Sequence, residues 1–429
     1  MSNVAKLEYN GNVYELPIIT GTENESAIDI RKLRDTTGLV TYDDGYKNTG
    51  STKSAITFID GDKGILHYRG YAIEEIAEKA EFLEVAYLLI YGKLPNEAEY
   101  TEWKRQITRH SLVHEDVKKV FDAYPTGAHP MGQLMTMMSM MSSFYPNNQD
   151  PHSTEDDRNL TIVRIVAKMA NLCAMMYKKR IGHPVMYPSN ALGFVEDYLA
   201  MTFGNPCEAY QVNPVVASAL NKLLILHADH EQNCSASTVR MVGSAHTNLW
   251  ATIAAGIAAL WGPLHGGANQ EVLEMLQEIK DSGISTKQYV EKVKNKEAGV
   301  RLMGFGHRVY KNFDPRAKII KKSAEDVLNQ LGVKDPLLDI AMELEGIALS
   351  DQYFIDRKLY PNVDFYSGII YRALGYPSDM FTVLFALGRL PGWVAQWKEM
   401  IEEKQPISRP RQIYIGETPR AFVPIKDRK

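Results

Sequence analysis

The sequence predicts a mostly α fold with a small β-rich module at its start. Three observations lead there. From Ala72 onward apolar residues recur three and four apart, the spacing of one helix face. No sustained strand alternation interrupts that stretch, and no fixed-period repeat suggests a solenoid. Before it, two short alternating runs flank turn dipeptides.

The first of these is Lys6 to Tyr9 and Val13 to Leu16 around Asn10-Gly11, a strong hairpin signal. The second is Ile56 to Ile59 and Ile65 to Tyr68 around Asp60-Gly61. A Gly, Thr, Asp and Asn-rich loop from Thr36 to Lys53 separates them. Helical spacing then covers Phe82 to Tyr91, Val117 to Tyr124, Leu160 to Tyr177, Asn190 to Thr202 and Pro214 to His227. It resumes in Leu249 to Leu260, Gln270 to Ile279, Ile319 to Leu331, Leu337 to Tyr353 and Phe365 to Leu374. Pro and Gly punctuate between them, giving about a dozen helices. The expected organisation is a β-rich module over 1–70, a large helical domain over 71–283, a smaller helical domain over 284–385, and a return to the large domain with a C-terminal arm over 386–429.

The 429 residues are 45% hydrophobic and 23% charged, which is ordinary globular composition. A net charge of −4 gives no global pull toward nucleic acid or an anionic membrane, so neither is expected as a partner. The apolar segments read as broken before the ~20 residues a span requires. Cys173, Cys207 and Cys234 are too scattered for a disulfide framework or zinc ribbon and fit a reducing compartment. No secretory or transit pattern opens the chain, so a cytoplasmic location is expected.

Candidate chemistry centres on two glycine-flanked histidines and a carboxylate. They are Gly-Pro-Leu-His265-Gly-Gly-Ala-Asn, Gly-Phe-Gly-His307-Arg-Val-Tyr and Tyr-Pro-Asn-Val-Asp364-Phe-Tyr-Ser. Glycine lets a ligand or a second backbone approach an imidazole closely. Two imidazoles and a carboxylate suffice to remove a carbon-bound proton and steady an enolate. His265 precedes a helix start, whose positive end favours neutral imidazole; a turn histidine without chemistry fits the same pattern. Asp364 reads as the N-cap of the next helix, and its aromatic neighbours would raise its pKa as a base requires. Asp314-Pro315 marks another helix start, beside Arg308 and Arg316. His227 and His230 are spaced to share a helix face, but no third ligand motif follows, and a substrate-facing role is favoured over a metal site. Arg389 interrupts an apolar helical run, which costs free energy unless an anion compensates it.

Together these stretches resemble the citrate synthase family over nearly the whole chain. Ile59-Asp-Gly-Asp-Lys-Gly-Ile-Leu66 and His227-Ala-Asp-His-Glu231 stand in family order with the three motifs above. The resemblance implies a dimeric, two-domain helical enzyme of the tricarboxylic acid cycle that joins acetyl-CoA to oxaloacetate. Asp364 would be the base, His265 the enol stabiliser and His307 the group activating oxaloacetate. His230, Arg316, Arg389 and Arg409 would hold carboxylates, Arg409 reaching in from the partner subunit. No metal or cofactor would be required, acetyl-CoA being a substrate. Length and the β module resemble the hexameric, NADH-inhibited subclass of Gram-negative bacteria. Its allosteric site would draw on Arg109, His110, Tyr145, Arg164, Lys168 and Cys207, with Ser111 and Leu112 in place of the usual Thr and Met. Arg164 and Lys168 are four apart and would share a helix face. A propionyl-CoA-using 2-methylcitrate synthase would carry the same catalytic set, and one methylene is worth only ~1–3 kcal/mol of discrimination. A non-catalytic binding protein on this scaffold should have lost one of the three catalytic groups.

Overall fold

A computed structural model describes residues 3–146, 150–306, 309–310, 313–332 and 334–428. His307 therefore lies outside the described residues. The chain forms two compact units, 1–53 with 408–429, and 54–407.

In the smaller unit, β1 (Val4–Tyr9) and β2 (Asn12–Thr20) pair antiparallel with Tyr9 opposite Asn12. Asn10 and Gly11 both take positive φ, 51° and 75°. That is the two-residue turn an Asn-Gly pair supplies, and its twist matches the strands. β3 (Ser26–Ile28) adds to β2, and α1 (Leu33–Thr37) ends on left-handed Gly38. The C-terminal segment after Ser408 is exposed throughout its described length.

The larger unit opens with β4 (Thr57–Asp60), β5 (Ile65–Tyr68) and β6 (Tyr71–Ala72), one antiparallel sheet. Helices then follow as α2 (Ile73–Lys79), α3 (Phe82–Tyr91), α4 (Glu97–Arg109), α5 (Asp116–Asp122), α6 (Pro130–Met140) and α7 (Glu155–Ile181). Next are α8 (Phe194–Phe203), α9 (Pro214–His227), α10 (Cys234–Gly243), α11 (Leu249–Trp261), α12 (Ala268–Ser282) and α13 (Thr286–Lys294). The last are α14 (Pro315–Leu331), α15 (Pro336–Ser350), α16 (Gln352–Arg357), α17 (Val363–Ala373) and α18 (Phe381–Glu402). α9, α14 and α15 start alike: an Asn or Asp side chain accepts a first-turn N–H, and Pro follows at the position where no N–H is needed.

α18 is the core rod, buried from Phe381 through Trp397. It packs on α3, α7, α9, α10 and α11. Gly388, Pro391 and Gly392 lie inside it, residues that ordinarily weaken or break a helix. Here the two glycines allow close approach. The Gly392 N–H donates to the Ala228 carbonyl at 3.0 Å, and a Cβ on Gly392 would fall on that carbonyl oxygen. The backbone after α9 thus lies directly on α18.

One expectation is corrected here. α7 is long and apolar enough, by length and composition, to cross a bilayer. Its apolar residues are buried against α4, α6, α8 and α18, as in a core helix.

Candidate active site

The end of α9 supplies the first groups. His227 is its last residue, Ala228 its C-cap, and His230 lies beyond it, so the two histidines do not share a helix face. His227 Nδ1 meets the Leu223 carbonyl at 2.7 Å; a carbonyl only accepts, so the proton is on Nδ1. Burial pushes the His227 pKa down to about 3, leaving a neutral ring. His230 is buried, and its Nε2 meets the Tyr310 hydroxyl at 3.2 Å. Asp229, between them, accepts from Thr57 Oγ1 at 2.6 Å and from the Glu231 N–H, and burial raises its pKa.

His265 sits in the turn joining α11 to α12. The Gly266 N–H returns to the Leu260 carbonyl at 2.9 Å, and a Cβ on Gly266 would collide with that same oxygen. His265 Nε2 accepts the backbone N–H of Ser235 at 3.3 Å and lies 2.8 Å from Ser235 Oγ. A backbone N–H can only donate. Nε2 therefore carries the lone pair, and the Nδ1–H is left as the donor. Ser235 Oγ is itself fixed by the Trp393 indole N–H at 3.0 Å. Burial first, and Arg389 second, push the His265 pKa down to about 3. The neutral ring expected from the helix end is present, but desolvation is its main cause.

Asp364 lies within the first turn of α17. The cap is Asn362, whose side chain accepts the Asp364 N–H at 3.0 Å and donates to the Gly306 carbonyl at 3.0 Å. The N-cap reading of Asp364 is thus corrected: a residue two places upstream has the extended backbone a cap needs. Freed from capping, Asp364 has a buried Oδ1 with no hydrogen-bond partner. Burial raises its pKa to about 6, against the pull of Arg316 and Arg389. Gly304 and Gly306, both at positive φ, lay the preceding segment on residues 360–362 through Asn362 N–H to Gly304 O and Gly306 N–H to Tyr360 O.

Two of the expected arginines are buried beside these groups. Arg316 is held in a two-pronged pair with Asp314, at 3.0 and 2.9 Å. Burial opposes its charge, but Asp314 and Tyr310 more than offset that, and its pKa is raised. Asp314 also accepts the Arg316 and Val363 N–H groups, tying the starts of α14 and α17 together. Arg389 donates from Nε to the His227 carbonyl at 2.5 Å, while its Nη1 is buried without a partner. Burial lowers its pKa to about 10, so it stays charged. Phe385, one turn earlier, lies under Arg389 and edge-on to His227 and His265.

The larger unit thus gathers His230, His265, Asp364, Arg316 and Arg389 around one buried region. Arg409 belongs to the smaller unit and is exposed there. Ser235, Tyr310 and Thr57 were not legible as site residues. Their contacts span 30, 80 and 172 positions, and no local pattern encodes them.

A second cluster lies elsewhere in this unit. Arg164 is 4.6 Å and Lys168 5.4 Å from the centre of the Tyr145 ring, which stacks on Trp250. Lys168 donates to the His110 carbonyl at 2.5 Å, and burial lowers its pKa to about 8. Arg109 is the exposed last residue of α4. Cys207 is exposed and lies three residues after Gly204, whose carbonyl accepts from Lys178 of α7.

The sequence model described as "Citrate synthase, C-terminal domain" matches residues 45–411. The chain belongs to the citrate synthase family. Citrate synthase 1 of Mycobacterium tuberculosis (strain H37Rv) is 55% identical over 99% of both chains. Citrate synthase of Corynebacterium glutamicum is 52% identical over 100% of this chain and 98% of its own. Among solved structures, the citrate synthase of Thermoplasma acidophilum, in a ternary complex with carboxymethyl coenzyme A and oxaloacetate, aligns with TM-score 0.81 at 31% identity, covering 90% of this chain and 98% of its own. That of Pyrobaculum aerophilum aligns with TM-score 0.79 at 34% identity, covering 96% and 97%. The mostly α architecture is the citrate synthase fold, and the activity is that of a citrate synthase, an acyltransferase.

Proposed function

We propose that this citrate synthase condenses acetyl-CoA with oxaloacetate in the region around His265 and Asp364. The observation that carries the assignment is the Ser235 N–H on His265 Nε2, which leaves a neutral Nδ1–H donor. Asp364 takes a proton from the acetyl methyl, breaking the C–H bond. The electron pair moves to the thioester oxygen, which accepts a hydrogen bond from His265 Nδ1–H. The nucleophilic carbon attacks the oxaloacetate ketone, and His307 gives that oxygen its proton. Water then cleaves the citryl thioester, releasing citrate and CoA. A carboxyl with a pKa near 6 is better matched to this weak carbon acid than an ordinary aspartate. His230, Arg316, Arg389 and the partner's arginine equivalent to Arg409 bind carboxylates, so the working unit is a dimer.

The finer assignment is a cytoplasmic homohexamer inhibited by NADH. The Arg164, Lys168, Tyr145 and His110 cluster supports an anionic, ring-bearing effector there, with cations for phosphate and a ring for stacking. Arg109 and Cys207 complete the proposed set. The domain of 284–385 is taken to close on 71–283 around the site, with 386–429 returning to the large domain. The test is thiol release from acetyl-CoA with and without oxaloacetate, repeated with propionyl-CoA and with NADH. Oxaloacetate-dependent release, faster with acetyl-CoA, is expected. Faster release with propionyl-CoA would move the assignment to 2-methylcitrate synthase, and no effect of NADH would remove the allosteric one.

A further inference from the structure

We propose that the β4–β5 hairpin is a positioning element that sets the oxaloacetate-binding corner, acting through Thr57, Gly61 and Tyr68. This rests on the binding roles proposed for His230 and Arg316.

The hairpin grips the segment after α9 at its base. Thr57 Oγ1 donates to Asp229 Oδ2 at 2.6 Å. The Tyr68 hydroxyl is fully buried; it donates to the Asp229 carbonyl at 2.8 Å and receives the Asp229 N–H at 3.2 Å. One residue is therefore held by its side chain, its N–H and its carbonyl from two adjacent strands. His230 is the next residue.

The hairpin tip meets a different segment. A Cβ on Gly61 would fall on the carbonyl oxygen of Val309, well inside van der Waals contact. Only glycine allows the two backbones to lie that close. Asp60 stiffens the tip by accepting the Asp62 and Lys63 N–H groups and pairing with Lys63 Nζ at 2.9 Å. Tyr310 follows Val309, and its hydroxyl meets His230 Nε2 at 3.2 Å. The Arg316 guanidinium lies 6.0 Å from the Tyr310 ring. The hairpin thus fixes both partners of the Tyr310–His230 contact independently, one at each end.

The test uses full-length Thr57→Val, Thr57→Ser and Gly61→Ala, with KM for each substrate, kcat and Tm. Loss of this buried hydrogen bond to the Asp229 carboxyl predicts a rise in oxaloacetate KM of about tenfold in Thr57→Val. Acetyl-CoA KM should move less than about twofold, since the hairpin touches neither His265 nor Asp364. Thr57→Ser keeps the hydroxyl and should restore oxaloacetate KM. Gly61→Ala should raise it further. A merely structural role would lower Tm and the active fraction, reducing Vmax with both KM values unchanged; that result in Thr57→Val overturns the proposal, even if Gly61→Ala fails to fold. Equal rises in both KM values also overturn it. If the unaltered enzyme shows no oxaloacetate-dependent turnover, the underlying binding assignment fails instead.

Discussion

Replacing Asp364 with Asn should remove turnover and, at neutral pH, make the protein harder to unfold. The Asp364 side chain carries a buried oxygen with no hydrogen-bond partner, and burial lifts its pKa from 3.8 to about 6. A carboxyl whose folded pKa is raised favours folding less as pH rises. Below 3.8 it is protonated in both states and costs nothing. Between 3.8 and about 6 the unfolded chain ionises first, and the cost grows. Above that window it is constant, at most about 3 kcal/mol, since each pH unit between the two values is worth about 1.4 kcal/mol. Asn does not titrate. Its amide still needs partners, so the net gain is smaller, but the pH slope of the difference is unaffected. The assay is chemical unfolding of both proteins at fixed protein concentration at pH 5 and pH 8, beside thiol release. The Asn variant's advantage should grow by about 1–2 kcal/mol from pH 5 to pH 8. A pH-independent difference would refute the buried-charge reading, and retained turnover would refute the base assignment. In the unaltered enzyme, kcat/KM for acetyl-CoA should rise through a midpoint near 6 as the carboxylate forms.

Other changes test the surroundings. Gly266→Ala places a methyl group against the Leu260 carbonyl, so His265 must move, and kcat should fall at least about a hundredfold with measurable loss of Tm. Arg164→Ala removes the cation over the Tyr145 ring and should weaken the proposed NADH inhibition at least about tenfold, read as the shift in its half-inhibitory concentration. Alkylation of native protein should label Cys207 and Cys234, which are exposed, and spare buried Cys173 until denaturant is added; peptide mass spectrometry reads the order.

Much of the fold was legible because its signals are local. The periodic runs at Phe82–Tyr91 and Pro214–His227 match α3 and α9 end to end. The Asn10-Gly11 and Asp60-Gly61 hairpins stand where the turn chemistry puts them. Helix α10 escaped the reading because Cys, Ser and Thr dilute its apolar spacing. α4 was missed although it opens with an Asn96 and Glu99 capping box, since its mean polarity hides a narrow stripe centred on Trp103 and Ile107. In the site, the motif residues announced themselves through glycine, while their partners did not. Asp364 looked like a cap because aspartate caps well; only the extended backbone at Asn362 decides which of two good caps is used.

The site has a common energetic feature. Asp364 Oδ1 and Arg389 Nη1 are each buried without a hydrogen-bond partner. Arg316, by contrast, is paired with Asp314. An unpartnered buried polar atom costs about 1–3 kcal/mol, and a chain selected only for stability would have paired or removed these two. Arg389 shows how the cost is borne. Its Nε is anchored to the His227 carbonyl, and Gly388 and Gly392 bring that backbone onto α18, so the cation cannot swing away to find water. What remains is a fixed, desolvated N–H donor. For a carboxylate substrate, such a donor requires no reorganisation on binding. The same reasoning separates the two arginines. Arg316 meets a carboxylate with its charge already partly offset by Asp314, whereas Arg389 is the one whose hydrogen bonding a bound anion would complete.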